Sequence, residues 1–386
     1  MKKILFVIDA LVCGGAEKSL IALLGLLNRE KYEIHLWMLD RGGVFEPLLP
    51  DDIIIEKYPY YSSLERLKYK LAHYRYSLTY RYLEYIKKNE HKAETLWKCI
   101  GSAYKVPNDY YDVAVAYQQG FPTFLVASKV KATKKVAWVN INLFNTSYNL
   151  DFICKYYDKM DTIVSVSKEL DDLLRKGLPQ YIDKYVCVYD ILDPQLIRRQ
   201  AKEEILERAL FENNTVIVTT GRLAYQKNHL LAVESAKILR DKGLQFKWLF
   251  VGDGEYRPII ESKIREYHLE DIVILLGERI NPYPYMALCS VYVQTSSFEG
   301  FGLTIAEAKI LGRPVVSTDF DVVHDQIVHK QNGLIAEMTP ESVADNIQSL
   351  LNEDNLRSDI IRNVLKEENT TYLTEITKVE RIFDAN

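Results

Sequence analysis

The chain has 386 residues, of which 48% are apolar and 26% charged, with a net charge of −4. That length exceeds what one hydrophobic core ordinarily organises and suits two domains, while the balance excludes a disordered or fibrous protein. Apolar runs such as LIALLGLL (20–27) fall short of the ~20 residues that cross a bilayer.

The N-terminal MKKILFVIDALVC imitates a secretion signal. Asp9 interrupts its apolar run and no small-residue cleavage site follows, so a soluble cytoplasmic chain is expected. Cys13, Cys99, Cys154, Cys187 and Cys289 are odd in number and show neither CxxC nor metal-ligand spacing, a usage that suits a reducing compartment.

In chain order, ILFVI (4–8) is a continuous apolar run, the signature of a strand buried on both faces of a parallel sheet. A helix over about 17–27 follows, then strands in EIHLWML (33–39), IIIEKY (53–58), VAVAY (113–117), KVAWV (135–139) and TIVSVS (162–167). VCVYDILDPQLI (186–197) reads as a last strand and a connector.

Residues 1–190 carry a net +4 and the rest −8. The cations concentrate in LERLKYKLAHYRYSLTYRYLEYIKK (64–88), inside a helical Tyr/Lys-rich insertion spanning 62–105. Two readings stay open for this stretch. One is a solvated face with tyrosines packed beneath it; the other is attraction to an anionic membrane surface, on the inner face of the cell membrane.

The second half restarts the pattern with strands in TVIVTTG (215–221), FKWLFVGDG (246–254), IVILLG (272–277), VYVQTS (291–296) and PVVST (314–318). Helices over 228–242, 256–268, 302–311 and 340–352 alternate with them. Two successive βα arrays predict two doubly wound α/β domains, 1–193 and 194–369, with a terminal helix over 370–386 returning to the first. In such sheets ligands bind at the carboxyl ends of the strands, and two facing domains are expected to share a cleft there.

The strand-end loops carry the chemistry. Gly14-Gly15 follows the first strand and opens a helix, which serves either a tight turn or close approach to an anion. The G-x-G-x-x-G spacing of dinucleotide-binding folds is absent. In GRLAYQKN, Arg222 and Lys227 set a forked and a mobile cation at one strand end, suited to a diphosphate leaving group. VGDGEYR (251–257) reads as a structural turn, whereas Gly277, Arg279 and Asn281-Pro282 in LLGERINPYPYM form a candidate wall for a nucleobase.

SSFEGFGLTIAEA (296–308) sets Glu299 and Glu307 on either side of a glycine turn that enters a helix. The amides of Gly302, Leu303 and Thr304 would make an anion cradle there. With one glutamate ahead of the helix and the other inside it, the pair does not bracket a single bond as glycosidase carboxylates do. The arrangement suits hydroxyls flanking a phosphate: Glu299 on a sugar ring, Glu307 on a ribose. DFD (319–321) resembles a metal-binding Asp-x-Asp, but its place after PVVST reads as loop solvation, and no metal is expected.

FEGFGLTIAEA resembles the E-x7-E motif of the retaining glycosyltransferases of family 4, which have the GT-B fold. CGGAEKSL, GRLAYQKN, VGDGEYR, GRPVVSTDFD and HKQNGLI extend the resemblance, in order, over nearly the whole chain. It implies metal-independent transfer of a hexose-type sugar from a nucleotide sugar, by default a UDP-sugar, to a hydroxyl of a glycan or lipid-linked acceptor in surface-polysaccharide synthesis. No cofactor and no nucleic acid are implied. By motif match, Arg222 and Lys227 stabilise the departing diphosphate and Glu299 holds the donor sugar. Glu307 holds the ribose, Gly302 and Leu303 contact phosphate, and the Gly14-Gly15 loop closes on the donor.

One departure stands out. Where relatives carry a histidine after the strand equivalent to KVAWV, this chain has AWVNINLFN, with Asn140 and Asn142 on the expected acceptor side. An amide orients a hydroxyl but does not titrate near neutrality. Two alternatives therefore stay open, a non-catalytic partner subunit that binds nucleotide sugar and a sugar-nucleotide epimerase. Asn140 argues against the latter, which needs acid/base residues by the ring.

Overall fold

A computed structural model describes residues 1–12, 14–57, 63–86, 90–212, 214–367 and 371–385. Parts of the Tyr/Lys-rich insertion, including Lys87 and Lys88, and the cysteine of CGGAEKSL lie outside the described residues. The chain divides into two units: Met1–Ile191 with Leu373–Asn386, and Leu192–Tyr372.

Unit 1 holds seven parallel strands: β1 (Lys2–Ile8), β2 (Tyr32–Met38), β3 (Ile54–Lys57), β4 (Tyr110–Ala116), β5 (Lys131–Val139), β6 (Thr162–Ser165) and β7 (Tyr185–Cys187). Their order across the sheet is β3-β2-β1-β4-β5-β6-β7. The helices α1 (Gly15–Leu26), α2 (Ser63–Tyr85), α3 (Lys92–Ile100), α4 (Phe121–Lys129), α5 (Leu150–Tyr157) and α6 (Lys168–Gly177) connect them. Ile4 to Ile8 are wholly buried, which is why β1 reads as unbroken apolar sequence rather than as an alternation.

The first helix of unit 2 is α7 (Pro194–Gln200), which starts within the stretch expected as a connector and runs three residues past it. Asp193 caps it by accepting from the amides of Gln195 and Leu196, and Pro194 occupies the first turn, where its missing N–H costs nothing. Then come β8 (Val216–Thr220), α8 (His229–Asp241), β9 (Lys247–Val251), α9 (Arg257–Glu266), β10 (Val273–Gly277), α10 (Tyr283–Leu288) and β11 (Val291–Gln294). The unit continues through α11 (Leu303–Ile310), β12 (Val315–Thr318), β13 (Leu334–Ala336), α12 (Pro340–Asn352) and α13 (Asp354–Lys366). The six-stranded sheet runs β10-β9-β8-β11-β12-β13. β13, which starts in the last two residues of HKQNGLI, has three residues and escapes a periodicity reading.

Both faces of this sheet are covered. Ile217, Trp248, Phe250 and Val293 pack into one cluster with Leu239 and Ile347. Their neighbours Val216, Val218, Leu249 and Tyr292 pack into another with Met286, Ile305 and Phe320. Adjacent residues on a strand thus serve opposite layers, each large side chain contributing about 1.5–3 kcal/mol of burial. The last helix, α14 (Thr371–Asp384), packs on unit 1: Phe383 meets Phe6 at 6.0 Å and Tyr32 at 5.9 Å, edge to face.

Candidate active site

In each unit the strand order reverses direction beside its first strand. In unit 2 the reversal lies between β8 and β11, and the carboxyl ends of strands at such a reversal are where sheets of this kind take their ligands. The loop after β8 is Gly221–Asn228 and the loop after β11 runs to Gly302.

The β8 loop is pinned by close backbone contact. Gly221 N–H donates to Val251 O at 3.0 Å and Leu223 N–H to Asp253 O at 3.0 Å. A Cβ on Gly252 would stand 2.0 Å from Gly221 O, so the glycines of VGDGEYR let the two loops touch. Two bonds stitch the β8 loop to the β11 loop: Ser297 N–H to Gln226 O at 2.8 Å and Gln226 Nε2 to Phe298 O at 2.9 Å.

At this seam Lys227 Nζ lies 2.5 Å from Glu299 Oε1. Gln294 Nε2, at 2.7 Å, and Ser296 Oγ, at 2.6 Å, donate to the same oxygen. Oε2 takes Gln226 Nε2 at 3.2 Å. The Glu299 side chain is 8% exposed and that of Lys227 20%, so desolvation is offset by three neutral donors as well as the ammonium. Oε1 is crowded, while Oε2 keeps acceptor capacity for a hydroxyl.

Behind the carboxylate runs a buried polar relay. Gln294 Oε1 accepts from Thr304 Oγ1 at 2.9 Å and from Tyr292 OH at 3.2 Å, and Tyr292 OH meets Thr220 Oγ1 at 2.9 Å. Thr304 lies in the first turn of α11, so the relay ties the helix start to Glu299. Gln226, Gln294 and Ser296 had no part in the sequence reading. Their signal was present, since Gln294 and Ser296 are polar residues at the end of an otherwise apolar strand.

Gly302 caps α11 in the left-handed region, φ 85°, without a side-chain cap. The helix start thereby keeps amide donors facing outward at the positive end of its dipole. Arg222 is exposed, and among the described residues its side chain makes no hydrogen bond or ion pair. The next helix opens with His229, which burial, assisted by the nearby Lys227 charge, holds near 3; it stays neutral and leaves Lys227 as the local cation.

Other sequence candidates stand apart from this cluster. Glu307 is fully buried inside α11 and accepts from Tyr283 OH at 2.9 Å. Arg279 pairs with Glu207 at 2.6 Å and donates to Tyr285 OH at 3.2 Å, contacts that raise its pKa; against the cost of burial, Glu207 is lowered first by the hydrogen bond from Tyr285 OH at 2.6 Å and then by Arg279. Asn281 bonds Gln200 O and Glu203, joining the loop after β10 to the end of α7. Asp319 of DFD is hydrogen-bonded to His324 Nε2 at 2.8 Å.

In unit 1, Gly14 caps α1, and the Glu17 carboxylate folds back so closely that a Cβ on Gly14 would meet it at 2.2 Å. That helix start therefore already carries a carboxylate. Gln118 Nε2 donates to Glu17 at 3.0 Å. Asn140 Nδ2 donates to Tyr117 O at 2.8 Å, tying the loop after β5 to the segment after β4, and Asn142 accepts from Phe144 N–H as a cap within its own loop.

Residues 201–367 match the family described as glycosyl transferases group 1. Over 368 residues and 92% of both chains, the sequence is 28% identical to the Campylobacter jejuni N-acetylgalactosamine-N,N'-diacetylbacillosaminyl-diphospho-undecaprenol 4-alpha-N-acetylgalactosaminyltransferase. Among solved structures, Anabaena Alr3699/HepE in complex with UDP-glucose superimposes with a TM-score of 0.76 at 18% identity, covering 100% of both chains. TarM superimposes with a TM-score of 0.69 at 15% identity, over 100% of this chain and 99% of its own. These likenesses establish the two-domain GT-B fold.

Proposed function

We propose that this chain, a glycosyltransferase whose residues 201–367 match the group 1 family, belongs to family 4 and moves a hexose-type sugar from a UDP-sugar to a hydroxyl of a glycan or lipid-linked acceptor, with retention and without a metal. The observation that carries this reading is the Lys227–Glu299 contact at the strand-order reversal of unit 2. It supports the reading because a carboxylate able to accept from a hydroxyl stands beside an ammonium able to bind phosphate, where such sheets take their ligands.

Arg222 and the remaining donors of Lys227 grip the diphosphate, together with the outward amides of Gly302, Leu303 and Thr304. Glu299 Oε2 accepts from hydroxyls of the donor sugar. Glu307 reaches the ribose once the Tyr283 contact gives way, and Arg279 walls the base. Asn140 and Asn142, in unit 1, lie on the acceptor side.

The acceptor oxygen bonds to the anomeric carbon on the face that the diphosphate leaves. The carbon–phosphate-oxygen bond breaks, and the acceptor proton passes to the departing phosphate oxygen. The cations and helix amides stabilise the charge that develops on the diphosphate, and positioning supplies much of the remainder. No side-chain base is required.

The test is a thermal-shift panel with UDP, GDP, ADP and CDP, followed by assay of nucleotide release from the matching sugar nucleotide with glycan and lipid-linked acceptors. Stabilisation by UDP of a few kcal/mol at saturation, and acceptor-dependent release of UDP, are expected. Sugar isomerisation without release, or binding without turnover, would overturn the reading.

A further inference from the structure

Gln326 follows a short 3₁₀ turn, Asp321–Asp325, in the loop after β12, and is only 8% exposed. Its Nε2 donates to Phe301 O, and to Gly302 O at 3.3 Å, at the entry to α11. A Cβ on Gly302 would stand 3.3 Å from the same nitrogen, so the amide is packed against the turn as well as bonded to it. Its Oε1 is buried and, among the described residues, has no hydrogen-bond partner. Turning the amide over would set that oxygen against two carbonyl oxygens. The side chain is therefore held as a donor, although a buried acceptor is left unmet.

The rest of the residue is fixed too. Gln326 N–H donates to Val323 O at 3.0 Å, and its carbonyl accepts Lys309 Nζ at 2.6 Å and Asn332 Nδ2 at 3.2 Å. Lys309 and Asn332 both reach Glu367, at 2.8 Å and 2.6 Å. Lys309 lies in the last turn of α11. Gln326 thus grips the end of that helix through its backbone and the start through its side chain.

In a planar trans peptide, the C=O of one residue and the N–H of the next point in opposite directions. Phe301 O and Gly302 O both turn inward to Gln326, so the N–H groups of Gly302 and Leu303 turn away from it. Among the described residues neither N–H donates to a protein acceptor. Gly302 O also takes Ile305 N–H at 2.9 Å as the helix begins. Phe301 O lies one residue earlier, where the glycine leaves the intervening peptide free to turn unless something holds it.

We propose that Gln326 is a positioning residue for sugar transfer: by donating to the Phe301 and Gly302 carbonyls it aims the Gly302 and Leu303 amides at the donor diphosphate. This role rests on the α11 start being the diphosphate cradle, and Gln326 itself touches no substrate.

The test is Gln326→Met, which keeps the length of the side chain and removes the donor, titrated by calorimetry with UDP and with uridine. Uridine reports the base and ribose contacts alone. UDP affinity should fall about tenfold or more, the scale of losing a hydrogen bond to a charged group. Uridine affinity should stay at the wild-type value. Tm without ligand should change little, since Met removes the unmet acceptor together with the two bonds. With a UDP-sugar, kcat should fall as KM rises, as expected of amides that meet charge developing in the transition state. Gln326→Glu, a second variant of the same shape whose carboxylate has no hydrogen to give, should lose at least as much UDP affinity, again with uridine unchanged. Wild-type UDP affinity in either variant overturns the proposal. So does an equal loss of UDP and uridine affinity, the mark of a side chain that only supports the fold. A wild-type chain that binds UDP no better than uridine would instead strike the cradle reading, and the role of Gln326 would fall with it.

Discussion

Lys227 and Glu299, 72 residues apart in sequence, meet at 2.5 Å between loops that leave neighbouring strands. The ammonium neutralises the carboxylate, which is 8% exposed, at the carboxyl ends of β8 and β11. A ligand that presents a phosphate to Lys227 and a hydroxyl to Glu299 would share the contact rather than destroy it, because each group retains further hydrogen-bonding capacity.

Glu299→Ala should lower kcat by about two to three orders of magnitude, the scale of losing one preorganised polar contact in a transition state. Circular dichroism and Tm should show the fold retained. A variant turning over at the wild-type rate would remove Glu299 from the chemistry.

Gln294→Leu separates positioning from contact. It removes the donor to Glu299 Oε1 and the acceptor of Thr304 Oγ1 at once. The expected result is a loss of roughly tenfold or more in kcat with KM little changed, since the carboxylate stays present but less firmly held. Gln294→Glu, which puts a second anion beside Glu299, should be worse than Leu. A variant that raises KM alone would show a donor-binding role instead.

Asp190 supplies a pH dependence. Burial, with a contribution from Glu17, raises its pKa from 3.8 to about 7, against the opposing hydrogen bond from Ser19. The folded state therefore holds a proton that the unfolded chain has released between about pH 4 and pH 7. Its contribution to stability is fully present below pH 3.8 and is lost as pH rises through 7. Asp190→Asn, which stays neutral, should raise Tm by a few degrees at pH 8 and by less at pH 5. Thermal melts across that range check the sign; a larger gain at pH 5 would contradict it.

Chelator treatment should leave the transfer rate unchanged. Loss of activity restored by added Mg²⁺ or Mn²⁺ would return the DFD loop to consideration, with Asp319 released from His324 as the expected ligand.

The two βα arrays were legible because a parallel strand covered on both faces must be apolar along its whole length, as Ile4–Ile8 and Val291–Val293 are. Short elements were not. β13 has only three residues, and α7 starts within a stretch that reads as a connector, although Asp193-Pro194 marks its start. Turn glycines were readable as turns, but Gly252 shows its reason only in space, where its hydrogen faces the Gly221 carbonyl.

Residue types and their order along the chain were enough to name the architecture and to bring Arg222, Lys227, Glu299 and the α11 start into consideration, because strand-end loops in such sheets are where ligand-binding groups collect. Order alone could not assign partners. That Glu299 is held by Lys227 and Gln294, that Glu307 is shut against Tyr283, and that Arg279 is engaged by Glu207 follow from which loops the sheet order sets side by side. The same holds for α2, whose sequence shows tyrosines and lysines intermixed. Only packing against α3 sorts them into a face that is used and a face left outward, since a helix in isolation has no inside.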